Sequence, residues 1–165
     1  KRNNGNNPIY FSEMLTYMDK VVGRISNALK QNDLDKNTIL IFTGDNGTDV
    51  KVKTKNKGIE IQGSKGLSIK YASNVPLIIN WNDYLKGNKT SDAFIDFVDF
   101  YATFEEILGV EKSNPNALSF LPLLKNQRYN EREVLTTYYN PMWGTRNLER
   151  GVYAQNKTHK LYKKR

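Results

Sequence analysis

Ile39-Leu40-Ile41-Phe42-Thr43-Gly44-Asp45-Asn46-Gly47-Thr48 is the stretch on which the reading of this chain turns. Five apolar or β-favouring residues run directly into a glycine, an acid, an amide and a second glycine. A near-continuous apolar run of this length predicts a buried strand. Its carboxyl end then carries Asp45 and Asn46, at the edge where open α/β sheets hold their ligands. Both side chains offer hard oxygen donors, the type taken by Ca²⁺ or Mg²⁺. The plainer alternative is a turn, since Asp, Asn and Gly also favour tight reversals. Further on, Gly63-Ser64-Lys65-Gly66 sets a cation between glycines, which suits an anionic substrate held near a metal.

The apolar periodicity on either side predicts an α/β chain. Phe11, Met14, Leu15, Met18, Val21, Val22, Ile25 and Leu29 fall at helical spacing, with Glu13, Asp19, Lys20, Arg24 and Lys30 on the other face. A polar turn leads to the strand Thr38–Thr43, giving an αβ unit of the kind found in parallel sheets. Residues 47–70 have no clear period and read as a long loop, with room for a short hairpin. Val75–Trp81 reads as a second strand with Pro76 at its start. Ala93–Leu108 reads as a helix stopped by Gly109. Asn114-Pro115-Asn116 reads as a turn and Leu118–Leu124 as a short apolar segment. Glu133–Tyr139, Gly151–Gln155 and His159–Tyr162 read as strands of a small antiparallel sheet. Residues 1–9 read as a loop.

Bulk properties narrow the chemistry. The 165 residues are 38% hydrophobic and 12% aromatic, which fits a globular domain. No run of eighteen apolar residues is present, so no membrane span is expected. No signal peptide is visible, because the sequence opens on Lys1-Arg2-Asn3-Asn4. There is no Cys and one His, His159. Thiolate metal sites, disulfides and Cys nucleophiles are excluded, and a His-based zinc site or Ser-His-Asp triad lacks its imidazoles. The net charge of +8 concentrates in Lys51, Lys53, Lys55 and Lys57, and in Lys157, Lys160, Lys163, Lys164 and Arg165. These clusters read as a polyanion-binding surface or as a solvated face and tail; no nucleic-acid partner is expected. Trp81, Trp143, Tyr138 and Tyr139 read as core packing, with a sugar-lining role as the alternative. The sequons at Asn46, Asn88 and Asn156 read as chance in an Asn-rich chain.

Taken in order, these pieces resemble the sulfatases of the alkaline-phosphatase-like superfamily, over the carboxyl-terminal part of their main domain. Met18-Asp19-Lys20-Val21-Val22-Gly23-Arg24-Ile25 is similar to the helix before the metal strand. Asn37–Gly47 is similar to that strand and its Asp-Asn-Gly turn, with Gly44 where a serine is usual. Gly63-Ser64-Lys65-Gly66 and Val75-Pro76-Leu77-Ile78-Ile79 are similar to the lysine loop and the strand after it. Ser91–Gly109 resembles the next helix, and Ser119–Leu124 the segment opening the small terminal sheet.

The resemblance implies a partial, mostly parallel alkaline-phosphatase-like sheet flanked by helices, plus the small antiparallel sheet. It divides the chain into residues 1–110, belonging to the main domain, and 111–165, a terminal subdomain. It implies a sulfuric ester hydrolase with Asp45 and Asn46 as two Ca²⁺ ligands. Lys65 would be the catalytic and substrate-binding cation, contacting the sulfate and the leaving oxygen. The substrate would be a sulfate ester, of a sulfated polysaccharide or an aryl sulfate, and the location periplasmic or secreted. The family nucleophile is a formylglycine made in a Cys/Ser-x-Pro-x-Arg motif, which this chain lacks. Ser113-Asn114-Pro115-Asn116-Ala117 has no arginine and reads as a turn. Lys70-Tyr71-Ala72-Ser73-Asn74 replaces the Glu-Gly-Gly-x-Arg often found in the family, so substrate class does not carry over. The chain alone is therefore expected to be inactive, its partner being an amino-terminal half of the same protein. The alternatives are a sulfated-glycan-binding module, or a phosphodiesterase or phosphotransferase of the same superfamily.

Overall fold

The computed structural model describes residues 10–85, 87, 89–139 and 151–164. The readings made on residues 1–9, Asn88, Trp143 and Arg165 lie outside these. The chain divides into two compact units, Lys1–Lys86 and Gly87–Arg165.

The first unit opens with helix α1, Phe11–Gln31, as the apolar spacing predicts. Glu13 in its first turn and Lys30 in its last complement the helix dipole. The helix ends where the Asn32 side chain donates to the Ala28 carbonyl at 2.8 Å and Asp33 takes a left-handed φ of 56°. A short 3₁₀ turn, Asp35–Asn37, leads into strand β1, Leu40–Thr43. Strands β2, Lys53–Asn56, and β3, Ile59–Gln62, form the hairpin that the long loop had room for. The four-residue helix α2, Lys70–Ser73, precedes strand β4, Leu77–Asn80.

Strand β1 pairs with β4, and the pairing is antiparallel, with Thr43 opposite Leu77 and Leu40 opposite Asn80. The parallel neighbours expected of β1 are not among the described residues. The reason is the path of residues 44–76. No helix crosses the sheet to carry the chain back to the start of β1, as a parallel connection requires. The excursion instead leaves and returns at the same end. A Cβ on Gly44 would stand 3.5 Å from the Val75 side chain, which marks where the loop closes.

In the second unit, helix α3, Phe97–Leu108, starts four residues later than the periodicity suggests. Asp96 and Asp99 form a reciprocal capping box there, and Gly109 closes the helix at φ 68°. A single turn of helix, α4, Leu121–Leu124, follows. Strands β5, Leu135–Tyr139, β6, Gly151–Gln155, and β7, Lys160–Lys164, form the expected antiparallel sheet in the order β5-β6-β7.

One buried acid organises this unit. Asp99 is fully buried. Its Oδ1 accepts from the Leu118 amide at 2.7 Å and from the Arg132 guanidinium, and its Oδ2 from the Asp96 amide at 2.8 Å. Arg132 also donates to the Asn116 carbonyl at 3.1 Å. Thr103 donates to the Asp99 carbonyl and accepts from the Phe120 amide, both groups being buried. Phe120 then packs edge-on against Phe100, with centroids 5.3 Å apart. A buried carboxylate is stable only when paired and hydrogen-bonded, and here three donors, the Asp96 and Leu118 amides and Arg132, supply the bonds. Tyr129 is half-buried beside them, and its hydroxyl has no hydrogen-bond partner among the described residues. Burial, and then the charge of Asp99, raise its pKa above the ordinary 10.0. The neutral phenol is thus favoured in the fold, and its contribution is lost only as pH rises above that ordinary value.

Asp99→Ala leaves Arg132 and the Leu118 amide without their partner, so it is expected to cost about 3–5 kcal/mol, measured as a fall in urea-unfolding free energy. Tyr129→Phe removes an unpaired hydroxyl and is expected to leave neutral-pH stability unchanged or slightly raised; a loss above about 1 kcal/mol would show that the hydroxyl is bonded.

Candidate functional site

Every predicted site residue lies in the first unit. Asp45 and Asn46 follow β1 directly and are exposed. Neither side chain makes a hydrogen bond or ion pair among the described residues. The Asp45 carboxylate and the Asn46 carbonyl oxygen therefore stand open at the end of a strand.

Lys65 reaches the same region through backbone pairing. Its amide donates to the Thr48 carbonyl at 2.9 Å, and the Gly63 amide donates to the Val52 carbonyl at 2.9 Å. The Leu67 amide donates to the Ser64 carbonyl at 3.0 Å, and Gly66 has φ 82°. That is the pattern of a type II turn with glycine at its third position. Lys65 occupies the second position, where its side chain is exposed, while Ser64 beside it is buried. A second clamp comes from α2, where the Ala72 carbonyl accepts from the Gly47 amide at 2.8 Å.

Two glycines make these approaches possible. A Cβ on Gly47 would lie 1.9 Å from the Tyr71 carbonyl oxygen. A Cβ on Gly63 would lie 1.9 Å from the Asp49 carbonyl oxygen and 2.6 Å from that of Thr48. No side chain fits at either position. Asp49 completes the corner by accepting from the Lys51 amide at 2.9 Å, and Gln62 donates to the Val50 carbonyl at 2.9 Å.

The donors suit a hard divalent cation by type, since a carboxylate and an amide oxygen are what Ca²⁺ takes. They are two of the six to eight such an ion needs. Among the described residues no group of three or more Asp, Glu, His or Cys could hold a metal ion.

Other candidates are used differently. Trp81 is buried and packs on Tyr84, with centroids 4.1 Å apart, so it serves the core. Tyr138 is exposed on β5. Ser113–Ala117 is a turn, in which Asn114 accepts from the Asn116 and Ala117 amides. Asn156 accepts from Thr158 and His159 in the β6–β7 reversal. In the basic tail, Lys157 pairs with Glu131 at 2.9 Å and Asp92 at 3.5 Å. The bond to Glu131 raises its pKa. Lys160 lies 3.6 Å from the centre of the Tyr153 ring. Lys157 and Lys160 are thus internally engaged. A small cleft lined by Ser26, Leu29, Asp35, Leu40 and Asn80 sits at the amino end of β1, the opposite end from Asp45.

A sequence model of the family described as Sulfatase matches residues 8–110. The chain belongs to the sulfatase family. It is 26% identical over 136 residues to an N-acetylgalactosamine-6-O-sulfatase of Bacteroides thetaiotaomicron, covering 74% of this chain and 26% of that protein. It is 28% identical over 135 residues to arylsulfatase K of Canis lupus familiaris, covering 81% of this chain and 23% of the relative. It is 32% identical over 112 residues to an N-acetylglucosamine-6-O-sulfatase of the same Bacteroides, covering 67% of this chain and 19% of that protein. This sulfatase chain thus spans about a quarter or less of the length of these relatives. One solved structure, described as in complex with its substrate D-glucosamine-2-N,6-O-disulfate, superposes with a TM-score of 0.74 at 24% identity, covering 90% of this chain and 29% of that one. This likeness is one of fold.

Gly47→Ala and Gly63→Ala are each expected to undock the lysine turn from the Asp45 turn. The cost should exceed about 2 kcal/mol, read by chemical denaturation, with faster amide exchange at Gly47 or Lys65. Gly58→Asn, at φ 83° with nothing within 4 Å of an added Cβ, should change little, because Asn tolerates that region.

Proposed function

We propose that this chain contributes the Asp45, Asn46 and Lys65 part of a centre that hydrolyses sulfate esters, with sulfated glycans or aryl sulfates as substrates. The carrying observation is the ladder that fixes the Lys65 amide to the Thr48 carbonyl, three residues after Asp45. It brings the backbone of the lysine turn beside the segment that follows Asp45 and Asn46. Asp45 and Asn46 would hold Ca²⁺. Bound there, the ion would act as a Lewis acid on the sulfuryl oxygens. Lys65 would neutralise charge on the sulfuryl group and on the leaving oxygen as its bond breaks. The leaving alkoxide takes a proton, for which the Lys65 ammonium would be the donor.

Such electrostatic work needs water excluded, yet all three side chains are exposed. We therefore assign the missing cover, the remaining metal ligands and the formylglycine nucleophile to the rest of the same protein, its amino-terminal half. Exposed area supports this. In helix α1 none of the 21 residues is buried, and Met14, Leu15, Met18 and Ile25 are exposed. No helix among the described residues is long and apolar enough to cross a membrane; a periplasmic or secreted location is part of this proposal.

The purified 165-residue chain is expected to show no turnover of 4-methylumbelliferyl sulfate. Clear turnover, lost in Asp45→Ala, would overturn the incompleteness. In the full-length protein, Asp45→Ala and Lys65→Ala should each lower kcat/KM by at least ~100-fold, and wild-type activity there with both variants unimpaired would remove these residues from the site.

A further inference from the structure

The β2–β3 hairpin grows from the same ladder that holds Lys65, and the catalytic reading leaves it without a role. We infer that it is a second anion-binding element, taking an additional sulfate or carboxylate of a glycan already held at Lys65. This rests on the sulfatase reading and extends it, making the preferred substrate an oligosaccharide with several anionic groups.

The hairpin is rigid by design of its turn. Lys57 and Gly58 both have positive φ, 49° and 83°, as a two-residue type I′ reversal requires. The register runs from Lys53 opposite Gln62 to Asn56 opposite Ile59. All four β2 residues are exposed. Lys53 and Lys55 lie two residues apart and so share one face. Lys51 stands at the base and Lys57 at the tip. Lys53 pairs with Glu60 at 3.0 Å. Lys51, Lys55 and Lys57 have no acidic partner among the described residues. Three open ammonium groups are thus spaced along one arm.

Their position matters as much as their number. The base is tied by the bonds from Gly63 to Val52 and from Gln62 to Val50, and the next bond along the same pair of segments is that from Lys65 to Thr48. From Gly63 to the tip at Ile59 is four residues, or about 13 Å of extended chain. Lys65 and the hairpin lysines are therefore successive cations on one continuous support. A single sugar at Lys65 does not span that distance, whereas an extended polyanion does. The segment from Asp49 to Gln62 contains no aromatic residue, so it offers no platform for stacking nucleic-acid bases. That favours a sulfated glycan as the polyanion.

The test titrates the 165-residue chain with a fluorescent heparin octasaccharide at several NaCl concentrations. The triple variant Lys51→Ala, Lys55→Ala, Lys57→Ala is expected to weaken binding at least tenfold and to flatten its salt dependence. The corresponding Lys→Arg triple should retain affinity, which separates charge from fold. The triple Lys20→Ala, Lys30→Ala, Lys36→Ala should change affinity less than twofold. Equal losses in the two Ala triples, or no loss in the hairpin triple, would overturn the inference. So would hairpin-dependent binding of a DNA oligonucleotide as tight as that of the octasaccharide. The two readings separate cleanly. Lost catalysis in full-length Asp45→Ala with octasaccharide affinity indifferent to the hairpin sinks only the inference. Hairpin-dependent affinity with unimpaired activity in full-length Asp45→Ala and Lys65→Ala sinks the catalytic assignment instead.

Discussion

Everything at the candidate site depends on backbone meeting backbone between residues 47–52 and 63–72. Three carbonyls, those of Thr48, Val52 and Ala72, accept from backbone amides of the opposite segment, and the Gln62 side chain donates to that of Val50. Peptide groups that approach this closely leave no volume for a Cβ, and Gly47 and Gly63 are the residues at the two tightest points. Asp45, Asn46 and Lys65 are flexible or exposed side chains with no packing of their own. Their common placement is inherited from this ladder. The hairpin β2–β3 is its continuation, so the position of the basic arm follows from the same bonds.

The two compact units solve the problem of stability by different means. The second concentrates its polar bonds on Asp99, which ties the start of α3 to the segments at Asn116, Leu118 and Arg132. Phe120, Ala117, Leu121 and Ala102 are buried in the same unit. The first has Val52 and Trp81 as its buried apolar residues, and its longest helix buries none. Apolar burial at about 25 cal/mol per Å² is the main favourable term in folding, and the first unit has left much of it unused.

Local chemistry was legible directly. The 3.6-residue apolar period located α1, the continuous run Ile39–Phe42 located β1, and Gly109 marked the end of α3, because each signal is a property of neighbouring residues. The ordered Asp-Asn-Gly and Gly-Ser-Lys-Gly turns pointed to the family that the comparisons establish. The direction of β4 relative to β1 was not legible. Two apolar strands pack equally well in either sense, and the choice was made by a 33-residue excursion that returns to the end it left. The role of Asp99 was hidden for a similar reason. In sequence it is one acid on an amphipathic helix, and its partner Arg132 is thirty-three residues away.

The sequence alone therefore determined α1, α3, β1, β4, the strands of the small sheet and the donor types of Asp45, Asn46 and Lys65, since all of these reside in residue identity and short spacing. Only the tertiary structure decided that the lysine turn docks beside the acid turn, that the alternating lysines stand on the same ladder, and that Lys157 and Lys160 of the basic tail engage Glu131, Asp92 and Tyr153. Those outcomes depend on hydrogen bonds and contacts between distant segments, and no local pattern encodes which segments will meet.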